Sequence, residues 1–187
     1  MQWELISFYT ATIIGFILSI GLIIDIKIDK VNLWPITSAS LWGIIELTLW
    51  FIFYGLTILV MIGNLKPLTE YTIMSWLGLI MLIGGTGLLF WALIVLNLKE
   101  SMGVKGEFCS SGPYGICRNP QSTGIIIQLL GVILMTYSVF IIILTTLHII
   151  VLLLLIFAEE PWLNKHYGKE YGKYQKQVPY RLLPYIF

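Results

Sequence analysis

The chain has 187 residues, of which 58% are hydrophobic and only 11% are charged, and its mean hydropathy is +0.89. Globular chains average about 45–50% apolar and about 25% charged residues, so a soluble domain of this size could not bury so much apolar side chain. The composition predicts a membrane protein. The net charge of +1 gives no reason to expect a nucleic-acid partner, and two cysteines cannot form a disulfide framework.

Four apolar stretches are long enough to cross a bilayer, which takes about 20 residues per helix. They run over residues 5–24, 41–62, 73–96 and 124–157. The last contains 34 residues, which suits two short helices with a turn at Tyr137-Ser138. The sequence therefore predicts a single all-α membrane domain over residues 1–187 with five transmembrane helices, the last two forming a hairpin.

In this topology Lys66 stands alone on one side of the membrane, and all the other basic residues share the opposite side. They are Lys27, Lys30, Lys99, Lys105, Arg118, Lys165, Lys169, Lys173, Lys176 and Arg181. Basic residues concentrate in cytoplasmic segments. The asymmetry thus predicts a multi-pass protein with its N-terminus outside and its C-terminus in the cytoplasm. A single span over residues 124–157 would abolish the asymmetry.

Glu46 lies about five residues inside the second predicted helix, roughly 8 Å from its cytoplasmic end. An intramembrane carboxylate is costly and rarely faces lipid. Glu46 could pair with Arg118, line a polar pocket, or stay within reach of interfacial water. In the third helix, Gly78, Gly85 and Ala92 recur every seven residues, which favours close helix packing over ligand contact.

The segment 97–123 is the longest polar stretch and is rich in glycine and proline. Without ligand contacts it would be an ordinary cytosolic loop, but glycine also lets backbone approach a ligand closely. Further along the chain, His148 and Glu159 are 11 residues apart and share a helix face. For His148 an interhelical hydrogen bond is favoured over ligand binding.

Glu159-Glu160 is predicted to close the last transmembrane helix. Carboxylates at a helix C-terminus oppose the dipole, so they require compensation by Arg118, by the following lysines or by a bound cation, unless they are simply solvated. Beyond them, apolar residues recur at helical spacing at positions 163, 167, 171, 174 and 178. This pattern predicts a short amphipathic helix anchored on the membrane surface. No metal-binding spacing is present.

Two segments together resemble the isoprenylcysteine carboxyl methyltransferase family and related phospholipid methyltransferases. Gly112-Pro113-Tyr114-Gly115-Ile116-Cys117-Arg118-Asn119-Pro120-Gln121-Ser122-Thr123-Gly124 is similar to the family element GPYxxxRHPxYxG. The segment that starts at Glu159-Glu160 is similar to the ending EExxLxxxFGxxYxxYxxxVPxxLP. The resemblance covers about the last 90 residues and implies S-adenosylmethionine as the methyl donor.

The resemblance also implies which residues form the site. Segments 97–123 and 159–187 would fold together over the methyl donor, with Arg118 and Glu159 as the candidate catalytic residues. The implied cofactor-binding residues are Phe108, Cys109, Gly112, Tyr114, Arg118, Asn119, Pro120, Ser122, Glu159 and Glu160. Glu159 would bind the donor's ammonium group, and Arg118 would hold either the donor carboxylate or the glutamate pair.

The chain departs from the family pattern at Gly115, Asn119 and Ser122, where arginine, histidine and tyrosine are usual. A further departure concerns the methyl acceptor, because Leu155 stands where carboxyl-methylating members carry arginine. We therefore expect a small or lipidic acceptor other than a prenylcysteine carboxylate, with Glu46, His148 and Leu155 as candidate contacts. The alternatives are a nicotinamide-dependent membrane reductase of the sterol reductase type and a non-catalytic membrane protein.

Overall fold

The computed structural model describes residues 2–27, 41–96 and 108–183, and every regular element within them is helical. The α-helices in these ranges are α1 (Gln2–Lys27), α2 (Leu41–Asn64), α3 (Ile73–Leu96), α4 (Pro120–Thr136), α5 (Val139–Tyr167) and α6 (Lys169–Gln177). Short 3-10 turns occur at Leu68–Glu70 and Gly112–Gly115. The predicted all-α class is confirmed. Residues 97–107 of the predicted cofactor loop lie outside the described residues, as does Lys30.

Four of the described helices, α1, α2, α3 and α5, are long and apolar enough to cross a membrane. The first three contain the predicted stretches 5–24, 41–62 and 73–96. Helix α4 is also apolar but has only 17 residues. That length is at the lower end of the range of about 17–25 residues found in membrane-spanning helices.

The predicted turn within the fourth apolar stretch is confirmed. Helix α4 ends at Thr136, and α5 begins at Val139. Between them Tyr137 adopts a left-handed conformation with φ of 50°, and its amide donates to the carbonyl of Ile133 at 2.9 Å. A single left-handed residue is a common way to end a helix, so the chain reverses here within two residues.

The helix ends gather at two opposite ends of the bundle. At one end, Arg118, which precedes α4, bonds to Glu160 in the last third of α5. At the other end, the loop between α2 and α3 meets the α4–α5 turn. There the Lys66 ammonium lies 5.5 Å from the centre of the Tyr137 ring, and the Thr72 and Tyr137 hydroxyls are 3.4 Å apart. We refer to these as the Glu160 end and the Tyr137 end.

Helices α3 and α4 pack in close antiparallel contact through two pairs of glycines. A Cβ added at Gly78 would lie 2.5 Å from the carbonyl oxygen of Gly131, and one added at Gly85 would lie 2.6 Å from that of Gly124. The seven-residue interval on α3 is therefore matched by a seven-residue interval on α4. Small residues allow such backbone contact between membrane helices. The predicted packing face, which includes buried Ala92, is confirmed.

A polar chain crosses the bundle next to this glycine contact. The Tyr54 hydroxyl donates to Oε1 of Gln128 at 3.0 Å, and Nε2 of Gln128 donates to the Thr86 hydroxyl at 2.8 Å. These bonds join α2, α4 and α3. Since apolar side chains alone give little preference for one helix neighbour over another in lipid, such bonds help to fix the arrangement of the helices.

The prediction that the last transmembrane helix ends at Glu159-Glu160 is wrong, because α5 continues to Tyr167. Counting from Val139, about 20 residues span the hydrocarbon core and bring the chain to Ala158. The two glutamates therefore follow the candidate membrane-spanning part of α5, and the helix extends beyond them. They are not at the helix C-terminus, so the argument from an opposing dipole does not apply.

The prediction of a membrane-anchored aromatic face after these glutamates is also wrong. The helix α6 exists, but Tyr171 and Tyr174 are only 2% and 4% exposed. They pack with Val178 inside the protein, against Phe108, Leu163 and Tyr167. The face of α6 that remains exposed carries lysines instead, namely Lys169, Lys173 and Lys176.

We predict that Gly85→Ala destabilises the protein although alanine favours helix, because its methyl group would meet the Gly124 carbonyl. Overpacking of this kind costs about 1–3 kcal/mol, which lowers the melting temperature by roughly 2–12 °C in a chain of this size. Thermal unfolding in detergent measures the effect. Gly84→Ala is the matched control, because a Cβ there meets nothing within 4 Å. Equal melting temperatures for the two variants would contradict the packing.

Candidate functional site

Glu160 is the centre of an ion cluster that joins the two sequence motifs. Its Oε1 accepts from Nε and Nη2 of Arg118 at 3.0 and 2.6 Å, and its Oε2 accepts from Nε of Arg181 at 2.9 Å. The Arg118 and Glu160 side chains are only 6% and 10% exposed. Two guanidinium groups therefore compensate this buried carboxylate, one on each of its oxygens. We call these three residues the Glu160 cluster.

The same arginine holds the C-terminal segment in place. Nη1 of Arg118 donates to the carbonyls of Val178 and Pro179 at 2.9 and 2.7 Å. The backbone amide of Arg118 donates to the carbonyl of Tyr180 at 2.9 Å. The rigid fork of donors on arginine is suited to several simultaneous acceptors. Of the two roles proposed for Arg118, this geometry favours binding the glutamate pair over binding a donor carboxylate.

Asn119 helps to bind the C-terminal segment rather than lining an open pocket. Its backbone amide and its Nδ2 both donate to the carbonyl of Arg181, at 2.9 and 3.0 Å. The next residue, Pro120, is buried at the first position of α4, where proline loses no helical hydrogen bond. The residue that replaces the family's histidine thus fastens the C-terminal segment to the start of α4.

An aromatic cluster lies beside the Glu160 cluster. The Phe108 ring packs against Tyr167, Tyr171 and Tyr174 with centroids 5.1 to 6.0 Å apart. The Tyr174 hydroxyl donates to the carbonyl of Tyr114 at 2.7 Å. Phe108, which the resemblance placed near the donor's adenine, therefore contacts the segment that follows Glu159.

Burial raises the pKa of the Tyr114, Tyr171 and Tyr174 hydroxyls well above the usual value for tyrosine. The first cause is loss of hydration, and for Tyr114 and Tyr171 the charge of Glu159 adds to it. All three hydroxyls therefore stay protonated at physiological pH.

The remaining residues of the predicted cofactor set lie around this centre. Gly112 has φ of 58°, and a Cβ there would come 3.2 Å from Val95, so the turn that leads to Tyr114 requires glycine. The Cys109 sulfur lies 3.9 Å from the carbonyl of Val95 and is half-buried. Gly115 has free space around it, so the arginine that is usual in the family would fit at this position without a clash of its Cβ.

Ser122 and two of the predicted acceptor contacts, Glu46 and Leu155, line a cavity of about 340 Å³ in the membrane part of the bundle. The cavity lies towards the Glu160 end, among α1, α2, α3, α4 and α5. Gln121 connects it to the aromatic cluster, because its side chain lines the cavity and donates to the Tyr114 hydroxyl at 2.9 Å. The structure therefore brings Glu46, Ser122 and Leu155 together.

His148 is not among the residues that line this cavity. It is fully buried and stacks on Phe53 at 3.7 Å between ring centres, with Nδ1 3.0 Å from the carbonyl of Leu144 in its own helix. Within the described residues its Nε2 has no hydrogen-bond partner. The expected interhelical hydrogen bond is therefore absent from the described part of the chain, and ring stacking joins α5 to α2 instead.

The described residues fit the cations of S-adenosylmethionine. Glu159 is half-buried at the same level of α5 as the Glu160 cluster and acts electrostatically on Tyr114 and Tyr171. A carboxylate binds an ammonium by charge-assisted hydrogen bonds, and tyrosine faces attract a sulfonium or ammonium. No group of three or more potential metal ligands occurs in residues 2–27, 41–96 and 108–183.

Sequence reasoning missed three contributors to the site. Arg181 completes the Glu160 cluster, and Trp50 and Tyr54 line the cavity as a stacked pair with centroids 5.6 Å apart. The signal for the stacked pair was present, because Glu46, Trp50 and Tyr54 recur every four residues on one face of α2. Nothing in the local sequence pairs Arg181 with a glutamate 21 residues earlier.

A family model described as phospholipid methyltransferase matches residues 73–170, which is just over half of the 187-residue chain. The match begins at the first residue of α3 and ends at the second residue of α6, so it includes the glycine contact, the first motif and the start of the second motif. Of the Glu160 cluster it includes Arg118 and Glu160 but not Arg181. No curated protein and no solved structure matches the chain.

We predict that Arg118→Lys loosens residues 178–183, because lysine cannot bond Glu160 and two carbonyls at once. Removing one partner of a buried ion pair costs about 3–5 kcal/mol, and because lysine keeps the charge we expect a loss smaller than this. Limited proteolysis should show faster cleavage after Lys176, together with a lower melting temperature. Arg181→Lys is the graded comparison and should have a smaller effect, since this side chain is 34% exposed. An equal or larger effect of Arg181→Lys would contradict the central role of Arg118.

Proposed function

Because the chain belongs to the phospholipid methyltransferase family, we propose that it transfers a methyl group from S-adenosylmethionine to a small or lipidic acceptor. The observation that carries the proposal is the Glu160 cluster, which joins the two motif segments directly next to Glu159 in the chain. The methyl donor supplies an electrophilic methyl group on sulfur. The protein's task is then alignment, which can contribute about 7–11 kcal/mol.

In this proposal Glu159 binds the ammonium of the methyl donor and Glu160 positions the segment around it. Arg118 acts through Glu160 and the C-terminal carbonyls, so we assign it a positioning role. The aromatic cluster supports the pocket wall. A nicotinamide cofactor is less suited to this site, because the two arginines of the described cluster already bind Glu160, and phosphates would need unengaged cations.

The apolar cavity is the proposed entrance for the acceptor. Its lining includes Glu46 of α2 and Ser122 of α4, and Gln121 links it to the donor side. An acceptor dissolved in the bilayer can enter sideways between helices, whereas the charged methyl donor arrives from water. Leu155 lines the cavity where a carboxyl-methylating enzyme would need a cation, so the acceptor group enters without negative charge.

We also propose that the chain crosses the membrane five times, with the short helix α4 as a span in addition to α1, α2, α3 and α5. The Glu160 end then faces the cytoplasm. The 17 residues of α4 extend about 26 Å, close to the thickness of a thin hydrocarbon core. Among the described residues, Lys66 is the one basic residue at the Tyr137 end, and the other basic residues lie towards the Glu160 end. This arrangement satisfies the positive-inside rule.

For the topology we expect reporters fused after Lys66 and after Phe187 to label opposite sides of the membrane, with the second in the cytoplasm. The fusion after Phe187 reports the side of the Glu160 end. The fusion after Lys66 reports the side of the Tyr137 end. Labelling of both fusions from the same side would refute the five-span arrangement.

For the donor site we expect Glu159→Gln to weaken binding of S-adenosylhomocysteine by roughly 10–150-fold, because a charge-assisted hydrogen bond contributes about 1.5–3 kcal/mol. Calorimetric titration of the purified protein measures the affinity directly. Glu170→Gln, an exposed carboxylate on α6, is the matched control and should leave the affinity unchanged. Full affinity in a folded Glu159→Gln variant would remove Glu159 from the site.

For the acceptor we expect little or no methylation of a farnesyl-cysteine carboxylate, since a carboxylate that enters the cavity loses hydration worth several kcal/mol without a cation to replace it. Transfer of labelled methyl to this substrate and to amine-bearing lipids should be measured side by side. The variant Leu155→Arg supplies the missing cation and should raise the farnesyl-cysteine activity. Fast turnover of farnesyl-cysteine by the unmodified protein would contradict the argument.

A further inference from the structure

The hairpin of α4 and α5 has a second apolar site on the side turned away from the cavity that Glu46 lines. It is a groove of about 410 Å³ between the two helices, and we call it the outer groove. One wall is α5, the other is formed by side chains within residues 123–130 of α4, and the C-terminal segment adds Leu182 and Leu183. Among the described residues none lines both the outer groove and the cavity. Its volume is within the range of about 300–1,000 Å³ that is typical of ligand sites.

The shape of the outer groove fits a lipid chain. Its lining residues on α5 are Ile149, Leu153 and Phe157, which are spaced by four residues, so the groove follows the helix for about 12 Å. These residues belong to a candidate membrane span, and Phe157 is 43% exposed. A neighbouring transmembrane helix would pack along most of a hydrocarbon core of about 30 Å, more than twice this length. A short groove parallel to the helix axes is therefore better suited to one acyl chain than to a helix.

One end of the outer groove carries a guanidinium group. Arg181 precedes the two lining leucines, and its guanidinium carbon lies 5.5 Å from the centre of the Phe157 ring. The Arg181 side chain is 34% exposed, whereas that of Glu160, which it binds, is 10% exposed. Arginine has five N–H donors in a planar fork that fits phosphate as well as carboxylate. The exposed side of Arg181 can therefore receive a phosphate oxygen while its bond to Glu160 remains.

The charges around Arg181 permit a phosphate there but do not demand a lipid with net negative charge. The Glu160 cluster contains two arginines and one glutamate, and the adjoining residues of α5 add Glu159 and Lys165, whose charges cancel. These described residues thus have an excess of one positive charge. Because this excess is small, a direct bond to Arg181 must select the ligand. Such a bond favours the phosphate that all phospholipids share over the net charge of a particular headgroup.

We propose that the outer groove binds one phospholipid, whose acyl chain lies between α4 and α5 and whose phosphate accepts from Arg181. This lipid is distinct from the methyl acceptor, because it occupies the opposite side of the hairpin. Lipid chains are as apolar as the groove, so the chain contributes fit and the phosphate contributes selectivity.

The bound lipid would stabilise the C-terminal segment. It would contact Leu182 and Leu183 from the membrane side, while Arg118 and Asn119 bind the backbone of the same segment from within the protein. Both sets of contacts restrain residues 178–183. This role does not depend on methyl transfer, so it can be tested whatever the reaction proves to be.

Binding can be measured on the full-length protein after removal of lipid in detergent. Titration followed by native mass spectrometry would compare dioleoyl phosphatidylcholine, dioleoyl phosphatidylglycerol and dioleoylglycerol. We expect the two phospholipids to bind with similar affinity. Dioleoylglycerol should bind roughly 10–150-fold more weakly, because it lacks the charge-assisted hydrogen bond. Arg181→Gln should lower the affinity for both phospholipids to that for dioleoylglycerol.

Leu153→Trp tests the groove separately from Arg181. The larger side chain would occupy the groove and should weaken binding of both phospholipids by about 5–150-fold. Ile83→Trp is the matched control, because Ile83 of α3 is 64% exposed and lies outside the groove, and it should bind normally. Tryptic cleavage after Lys176 reports on the C-terminal segment. Added phosphatidylcholine should slow this cleavage in the unmodified protein and in Ile83→Trp, but not in Leu153→Trp.

Four results would each overturn the proposal. The first is normal phospholipid affinity in Leu153→Trp, and the second is equal affinity of the unmodified protein for dioleoylglycerol and phosphatidylcholine, which needs no variant. The third is binding of phosphatidylglycerol alone, unchanged in Leu153→Trp, which would assign the lipid to the exposed lysines of α6. The fourth is a dimer that dissociates in Leu153→Trp, which would make the groove an interface between two copies of the chain.

Discussion

The compensation of one buried carboxylate organises the functional half of this protein. Glu160 is buried in the last third of α5, and it is stable there because Arg118 and Arg181 bind both of its oxygens. The need to compensate this carboxylate brings together two distant parts of the chain, the segment before α4 and the segment after α6. Arg118 then uses its remaining donors on the carbonyls of the second segment. Removing Arg118 would leave the buried Glu160 paired only with the partly exposed Arg181, so Arg118 is the more important partner.

Around this cluster the site divides into a polar part and an apolar part. The polar part contains Glu159 and the tyrosine rings, and the apolar part is the cavity with Glu46. Gln121 is the residue that touches both, because it lines the cavity and bonds the Tyr114 hydroxyl. A water-soluble donor and a bilayer-soluble acceptor need such a division, since each must reach the reaction from a different solvent.

Patterns that depend on bilayer thickness and side-chain size were readable from sequence. The Tyr137-Ser138 turn followed from the length of the apolar stretch, and the glycine contact followed from its seven-residue spacing. The sequence did not predict which surface the aromatic face of α6 contacts, because the rings of Tyr171 and Tyr174 are equally suited to a membrane interface and to a protein interior. The continuation of α5 past Glu160 was also not predicted. The argument from the helix dipole assumed that the helix ends at the glutamates, and it does not apply to a helix that continues. Arg181 was missed because its partner is a long-range contact.

In the proposed five-span arrangement, the short helix α4 would couple the site to the thickness of the surrounding bilayer. The turn at Tyr137 joins the end of α4 to the start of α5. Helix α4 has 17 residues and α5 has 29. Arg118 at the foot of α4 must still reach Glu160, so a thick hydrocarbon layer would submerge the ion cluster. Hydrophobic mismatch costs fractions of a kcal/mol per Å, enough to sort proteins between membranes. In that arrangement the length of α4, about 26 Å, would set the bilayer thickness at which the ion cluster stays at the interface.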